Sequence, residues 1–304
     1  MRILFMGTAD LACPCLDAIA RLPEQQVIGV ITQPDRPRGR DLKLLPTPVK
    51  VVAEKLGLPV HQPLKVREPA AIELVHNSKP DLILVVAYGQ LLPQTLLDIP
   101  PLGCVNVHTS LLPRWRGASP IQHAILAGDS ETGVTTMYLN ERMDEGDIIL
   151  QRAERIRDDD TGNSLHDRLA TLGAALLVET VPLLASGHAP RLKQEDAKAT
   201  YAKKLAKEDG RIDWAKPAVQ IERQIRAFNP WPGAYTFLGE TMLKIWKAEV
   251  AASDQGVSGQ VTGDLVATGE GALRLVEVQP AGGKRMSFAA FARGQRIEGL
   301  VSFR

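Results

Sequence analysis

Leu82-Ile83-Leu84-Val85-Val86-Ala87 is apolar from end to end. A strand with one face in water alternates apolar and polar residues, whereas a strand covered on both faces does not. Arg2–Met6, Val27–Thr32, Cys104–His108, Val134–Leu139 and Ile148–Arg152 complete the strand set of the first half, several of them nearly continuous apolar runs. Between them, helical patterns lie near Cys15–Leu22, Val49–Leu56, Ala70–Asn77 and Ile121–Ala127, with a longer one at Leu165–Ala185. Strand–helix alternation predicts an α/β domain, Rossmann-like, with a doubly wound and mainly parallel sheet joined by right-handed crossovers. The run Thr132–Arg152 fits either a hairpin or one more strand–helix–strand unit. Such sheets bind ligands beyond the carboxyl ends of their strands, so chemistry is sought just after each strand.

The texture changes near Ala189. Arg191 to Lys207 is polar, lysine-rich and without periodicity. A helix is expected at Pro217–Phe228, proline being suited to a first turn. Short strand-like runs follow at Ala234–Leu238, Met242–Val250, Gly259–Thr262, Leu265–Ala267 and Leu273–Val278, separated by glycines. Many short strands with glycine turns predict a small OB-like β-barrel. The expected organisation is a catalytic domain over residues 1–189, a linker over 190–208 and the barrel over 209–304.

Composition removes several classes. With 44% hydrophobic residues among 304, the chain has apolar material for two cores. No uninterrupted apolar run approaches the roughly 20 residues that span a bilayer, so no membrane partner is expected. The opening Met1–Met6 run stops at Gly7-Thr8 with Asp10 following, which reads as a first strand rather than a leader, and a cytoplasmic location is expected. Three cysteines without CxxC spacing and scattered histidines offer neither a disulfide framework nor a metal site; no metal is expected. Net charge is +1, so a polyanionic partner has to be held by local patches. Trp115, Trp214, Trp231 and Trp246 are expected to pack rather than stand exposed.

Chemistry concentrates in Gly103-Cys104-Val105-Asn106-Val107-His108-Thr109-Ser110-Leu111-Leu112-Pro113-Arg114-Trp115-Arg116-Gly117. Asn106 and His108 are two apart on a strand and project to one face. An amide and an imidazole side by side suit an oxygen that gains charge as an acyl carbon becomes tetrahedral. The same pair would also serve to cap backbone, and these two residues alone do not choose. Asp144, in Asn140-Glu141-Arg142-Met143-Asp144-Glu145-Gly146-Asp147, is either a turn former or a carboxylate that orients His108.

Together, Asn-x-His-x-Ser-Leu-Leu-Pro-Arg-x-Arg-Gly and the later Asp-x-Gly-Asp resemble the folate-dependent formyltransferases. The resemblance implies that Asn106, His108 and Asp144 are the catalytic positions. It also implies that Ser110, Leu111, Leu112 and Pro113 border a bound reduced folate, with 10-formyltetrahydrofolate as the formyl donor. One departure stands out: where the family commonly has Asp-Thr-Gly-Asp, this chain has Asp144-Glu145-Gly146-Asp147, which adds a negative charge beside the acid.

Thr32 to Lys50 leaves the second strand as a loop rich in proline and basic residues, with Arg36, Arg38, Arg40, Lys43 and Lys50 against Asp35 and Asp41. A charge-rich loop is most often a solvated face. This one, spanning 33–50, is similar to the insertion found in the family branch that acts on methionyl-tRNA. By that resemblance Arg36, Arg38, Arg40 and Lys43 meet the acceptor end of initiator methionyl-tRNA. A monomer is expected, though the sequence itself does not fix the oligomeric state. Tyr201 to Trp214 and Ile225 to Ala234 resemble the linker and start of the family's carboxyl-terminal domain, for which tRNA binding is expected. Basic and acidic side chains nearly balance there, so that contact would be modest and salt-sensitive.

Overall fold

The computed structural model describes residues 1–38, 43–252, 256–295 and 301–303. They form two compact units. The first comprises Met1–Pro120, Glu131–Arg155 and His166–Ala202; the second comprises Ile121–Ser130, Ile156–Leu165 and Lys203–Arg304.

The first unit is built on a seven-stranded sheet. Its strands are β1 (Arg2–Gly7), β2 (Gln26–Ile31), β3 (Val60–His61), β4 (Leu82–Val86), β5 (Cys104–His108), β6 (Glu131–Tyr138) and β7 (Ile148–Arg155), in the spatial order β7-β6-β5-β4-β1-β2-β3. β1 through β5 run parallel, and β6 and β7 form an antiparallel hairpin beside β5. The hairpin is thus the realised option for Thr132–Arg152. β3 has two residues and carries too little pattern to be seen in the sequence.

Every residue of β4 is buried, as its unbroken apolar run demands. One face contributes Leu4, Met6, Ile83, Val85 and Cys104 to a cluster with Val75, Leu92 and Leu96. On the opposite side, Gly173 of the helix Gly162–Ala185 faces Val107, Val134 and Cys15, and Thr180 is hydrogen-bonded to Thr136 at 2.9 Å. Each aliphatic side chain so buried contributes roughly 1.5–3 kcal/mol. That helix, at 24 residues, is long and apolar enough to cross a membrane by length and composition, and half of its most apolar window is buried in the protein. The helices Pro48–Lys55 and Pro69–Ser78 both begin on proline, and the first is capped by Thr47, whose side chain accepts from the Lys50 amide.

In the second unit an antiparallel sheet runs Ala234–Leu238, Thr241–Ala251, Ala272–Pro280, Leu265–Ala267, Gln260–Thr262, Val301–Ser302, each strand paired to the next. A bridge between Leu238 and Phe303 ties the two outer edges together and curls the sheet toward a barrel. Its core gathers Ile212, Trp214, Ile221, Ile225, Leu243, Ile245, Leu273, Phe288 and Phe291. Trp214 stacks on Phe303 and donates its indole N–H to Thr236. Trp246 is likewise buried, but Trp231 is 53% exposed, contrary to expectation. It lies between Pro230 and Pro232 just past the helix Ala218–Ala227, and Phe228 takes the buried position there instead.

Burial governs the cysteines. Cys15 and Cys104 are buried, and desolvation pushes both thiols up to about 12; Cys13 is half-buried, and burial with the neighbouring Asp10 raises it to about 11. At pH 8 the thiolate fraction is then roughly one in a thousand or less. Ellman's reagent at that pH should modify the native chain slowly and through Cys13 alone, while three thiols titrate in denaturant. Rapid reaction of two or more in the native chain would contradict this burial.

Candidate functional site

His108 closes β5, and Asn106 stands two residues before it on the same face. Asn106 is partly exposed, whereas His108 is only 6% exposed. β6 pairs with β5 so that Asn106 lies opposite Met137 and His108 opposite Thr135. The segment joining β6 to β7 starts at the far end of β5, where Leu139 N–H donates to the Cys104 carbonyl. It then doubles back over the sheet, for the Asp144 carboxylate reaches the His108 ring, with Oδ2 3.6 Å from Nδ1.

The ring is oriented from its other edge. His108 Nε2 lies 2.9 Å from the Trp115 carbonyl oxygen. A carbonyl only accepts, so Nε2 carries a hydrogen and Nδ1 is the edge turned to Asp144. Trp115 presents that carbonyl from a left-handed backbone, φ +60°, and its N–H donates to Thr200 Oγ1 at 2.9 Å. Asp144 is also left-handed, φ +55°, and its Oδ2 accepts the Gly117 N–H at 2.8 Å. Two glycines of the motifs have steric causes. A Cβ on Gly146 would stand 1.8 Å from the Tyr138 carbonyl oxygen, and one on Gly117, φ +116°, would stand 2.6 Å from that of Ala202.

Ser110-Leu111-Leu112-Pro113 is held down by one hydroxyl. Thr135 Oγ1 donates to the Ser110 carbonyl at 2.7 Å and accepts from Leu112 N–H at 3.2 Å and Gln151 Nε2 at 2.9 Å. Gln151 also donates to the Leu112 carbonyl. Ser110 is buried and Leu112 packs on Met137 and Ile148, so Leu111 and Pro113 are the members of this loop with surface left.

Arg116 is charged and 2% exposed. Burial opposes its charge, but hydrogen bonds to Asp196 and Tyr201 and the nearby carboxylates of Asp196 and Glu145 outweigh it, so its pKa lies above the ordinary value. Glu145, the residue that departs from the family pattern, sits 3.6 Å from this guanidinium and 3.4 Å from that of Arg142. Thr200, Asp196 and Gln194 all come from the polar stretch read as a connecting segment. In the structure this stretch lies along the first unit: Leu192 pairs with Ile148, and Tyr201–Ala202 pairs with Arg116–Gly117.

The basic loop is a hairpin, Arg36–Arg38 against Lys43–Leu45. Arg36 and Lys43 are exposed; Arg40 lies outside the described residues, and Arg38 is described only as a member of its strand. Lys50 does not join them. Its ammonium donates to Asp35 and Gln62, which hold the Asp35 carboxyl below its usual range. Gln33, at the hairpin's base, donates to the Tyr88 carbonyl and accepts from Arg36. Beside it a cavity of about 210 Å³, lined by Thr8, Gln33, Arg36, Thr47, Tyr88 and Gly89 among others, opens at the carboxyl ends of β1, β2 and β4. There β1 lies between β2 and β4, the reversal of strand order at which such sheets bind ligands. The sequence offered no sign of the roles of Thr135, Gln151, Gln194 or Thr200, because each acts through backbone or hydroxyl groups rather than through a pattern of residue types.

Family comparison agrees with this anatomy. A formyl transferase model matches residues 1–181 and a formyl transferase carboxyl-terminal domain model matches residues 204–296. The methionyl-tRNA formyltransferase of Geobacter sulfurreducens is 48% identical over 98% of this chain and 95% of its own length. That of Bacillus velezensis is 48% identical over 98% and 96%. Among solved structures, an N-formyltransferase from Helicobacter canadensis, in complex with folinic acid and dTDP-3-aminofucose, shares the fold. Its TM-score is 0.67 at 18% identity, over 90% of this chain and 98% of that one.

Thr135→Val tests the anchoring of the Ser110–Pro113 loop. Valine keeps the volume but leaves the Ser110 carbonyl and the Leu112 N–H without partners. Stability in urea should fall by about 2–3 kcal/mol, since each buried unpaired group costs about 1–3 kcal/mol. An unchanged unfolding midpoint would show that the hydroxyl does not carry this loop.

Proposed function

The chain belongs to the formyl transferase family, and we propose that it moves the formyl group of 10-formyltetrahydrofolate onto the α-amine of methionine carried by initiator tRNA. The product is N-formylmethionyl-tRNA, used to start translation. The observation that carries this reading is identity along almost the whole chain to relatives named for that reaction.

Asn106, His108 and Asp144 perform the chemistry. The amine attacks the formyl carbon, a C–N bond forms, and the carbonyl oxygen gains charge. The side-chain N–H of Asn106 donates to that oxygen; one such donor is worth about 3–4 kcal/mol. With Nε2–H spent on Trp115, the His108 ring works through Nδ1. Nδ1 takes the proton that the amine loses, and the resulting imidazolium rests against Asp144. The same proton passes to the folate nitrogen as its bond to the formyl carbon breaks, so the enzyme ends as it began. Proton transfers of this kind typically give about 10²–10⁴-fold.

Leu111 and Pro113 border the folate, and the basic loop residues Arg36, Arg38, Arg40 and Lys43 take the acceptor end of the tRNA. The second unit tracks the RNA backbone through lysines and arginines of its curled sheet, an interaction that weakens with salt. Both substrates belong to the cytosol, and the enzyme works there.

Purified protein supplied with 10-formyltetrahydrofolate should formylate charged initiator tRNA and leave charged elongator tRNA and glycinamide ribonucleotide largely unmodified. His108→Ala should lower transfer at least about 10²-fold with tRNA affinity, measured by filter binding, within twofold. Release of formate without an amine acceptor, at a rate equal to transfer, would instead identify a hydrolase.

A further inference from the structure

Asp144 is held in the left-handed backbone region, φ +55°, which a residue with a side chain adopts only where its surroundings hold it there. A carboxylate placed this way stays aimed at His108 only while its turn is fixed from outside. A side chain from outside the turn spans it. Gln194 Nε2 donates to the Asp144 carbonyl and to the Gly146 carbonyl, each at 2.8 Å, so both of its amide hydrogens are used. Its Oε1 accepts from Arg116 Nε at 3.0 Å. Arg116 in turn is gripped by Asp196 at 2.8 Å and faces Glu145 at 3.6 Å. Arg116 also immediately follows Trp115, whose carbonyl orients His108, and precedes Gly117, whose N–H binds Asp144. Buried arginine, glutamine and turn therefore link both sides of the histidine–aspartate pair through fixed bonds.

We propose that Gln194, locked by Arg116, is a positioning residue that sets the Asp144 carboxylate against His108 for proton transfer. The inference rests on the formyl-transfer reading above and adds to it a device outside the catalytic motifs. Neither Gln194 nor Arg116 touches the reacting atoms. Their effect is on the geometry of the acid, where a misplacement of about 1 Å can cost on the order of 10²-fold in rate.

Gln194→Glu separates positioning from mere tethering. The carboxylate keeps the size and still accepts from Arg116, so the strand-like stretch remains attached, but it cannot donate to the two turn carbonyls and repels them. Expected is a fall in kcat of about 10–100-fold, with the KM for 10-formyltetrahydrofolate and the tRNA dissociation constant within twofold. Gln194→Leu, which fills the space without donors or acceptors, should show the same kcat loss. Hydrogen exchange gives a readout independent of acceptor: Tyr138 N–H, which closes the turn on the Asp147 carbonyl at 2.9 Å, should exchange at least about tenfold faster in Gln194→Glu. Wild-type kcat in Gln194→Glu, or unchanged exchange at Tyr138, would overturn the proposal. Should the wild-type protein fail to formylate methionyl-tRNA at all, the formyl-transfer reading fails, and the exchange measurement still decides whether Gln194 holds the turn.

Discussion

The bond from the His108 ring to the Trp115 carbonyl fixes everything that follows in the site. It settles the tautomer, and with it which nitrogen faces the carboxylate. A free imidazole would flip between two edges; this one has a single edge to offer. The bond exists because the chain after β5 turns sharply enough to bring a carbonyl seven residues on back to the ring, and that turn needs Trp115 in the left-handed region. Thr200 then keeps the peptide from relaxing. A carboxylate on a second left-handed residue meets the ring from the opposite side. Two left-handed conformations face each other, each held by neighbours outside the motif.

The scaffold was far more legible than the site. β4 announces itself because a strand buried on both faces has no reason to alternate, and the bounds expected for β5, Cys104–His108, are those observed. The second unit was equally readable, since glycine marks nearly every place where its sheet turns. Harder cases were short or indirect. β3 is two residues long, and the small hairpin of the basic loop has the composition of a loop. The meeting of His108 with Asp144 came from family resemblance rather than spacing. Their separation in the chain says nothing about a segment that leaves from the wrong end of a strand and folds back across it.

What pattern reading overlooked most was the polar stretch after the long helix. Its residues have no periodicity because they form only a two-residue strand, a bridge and single turns; they are chosen one at a time for what they grip. Gln194 grips carbonyls, Thr200 grips an amide, and Asp196 grips a buried guanidinium. A charged arginine at 2% exposure is costly unless fully engaged, and here four groups engage it. Glu145 is one of them, so the acid that departs from the family pattern is absorbed as a counter-charge to Arg116 rather than left beside Asp144 as a bare repulsion.

This arrangement also has a timing consequence. During synthesis the seven strands of the main sheet are all available once residue 155 has emerged, and domains can begin to fold as they appear. Gln194, Asp196 and Thr200 come later, after a 24-residue helix. A nascent chain thus possesses its sheet before it possesses the side chains that pin the turn around Asp144 and the peptide after Arg114. The architecture precedes its own fastening.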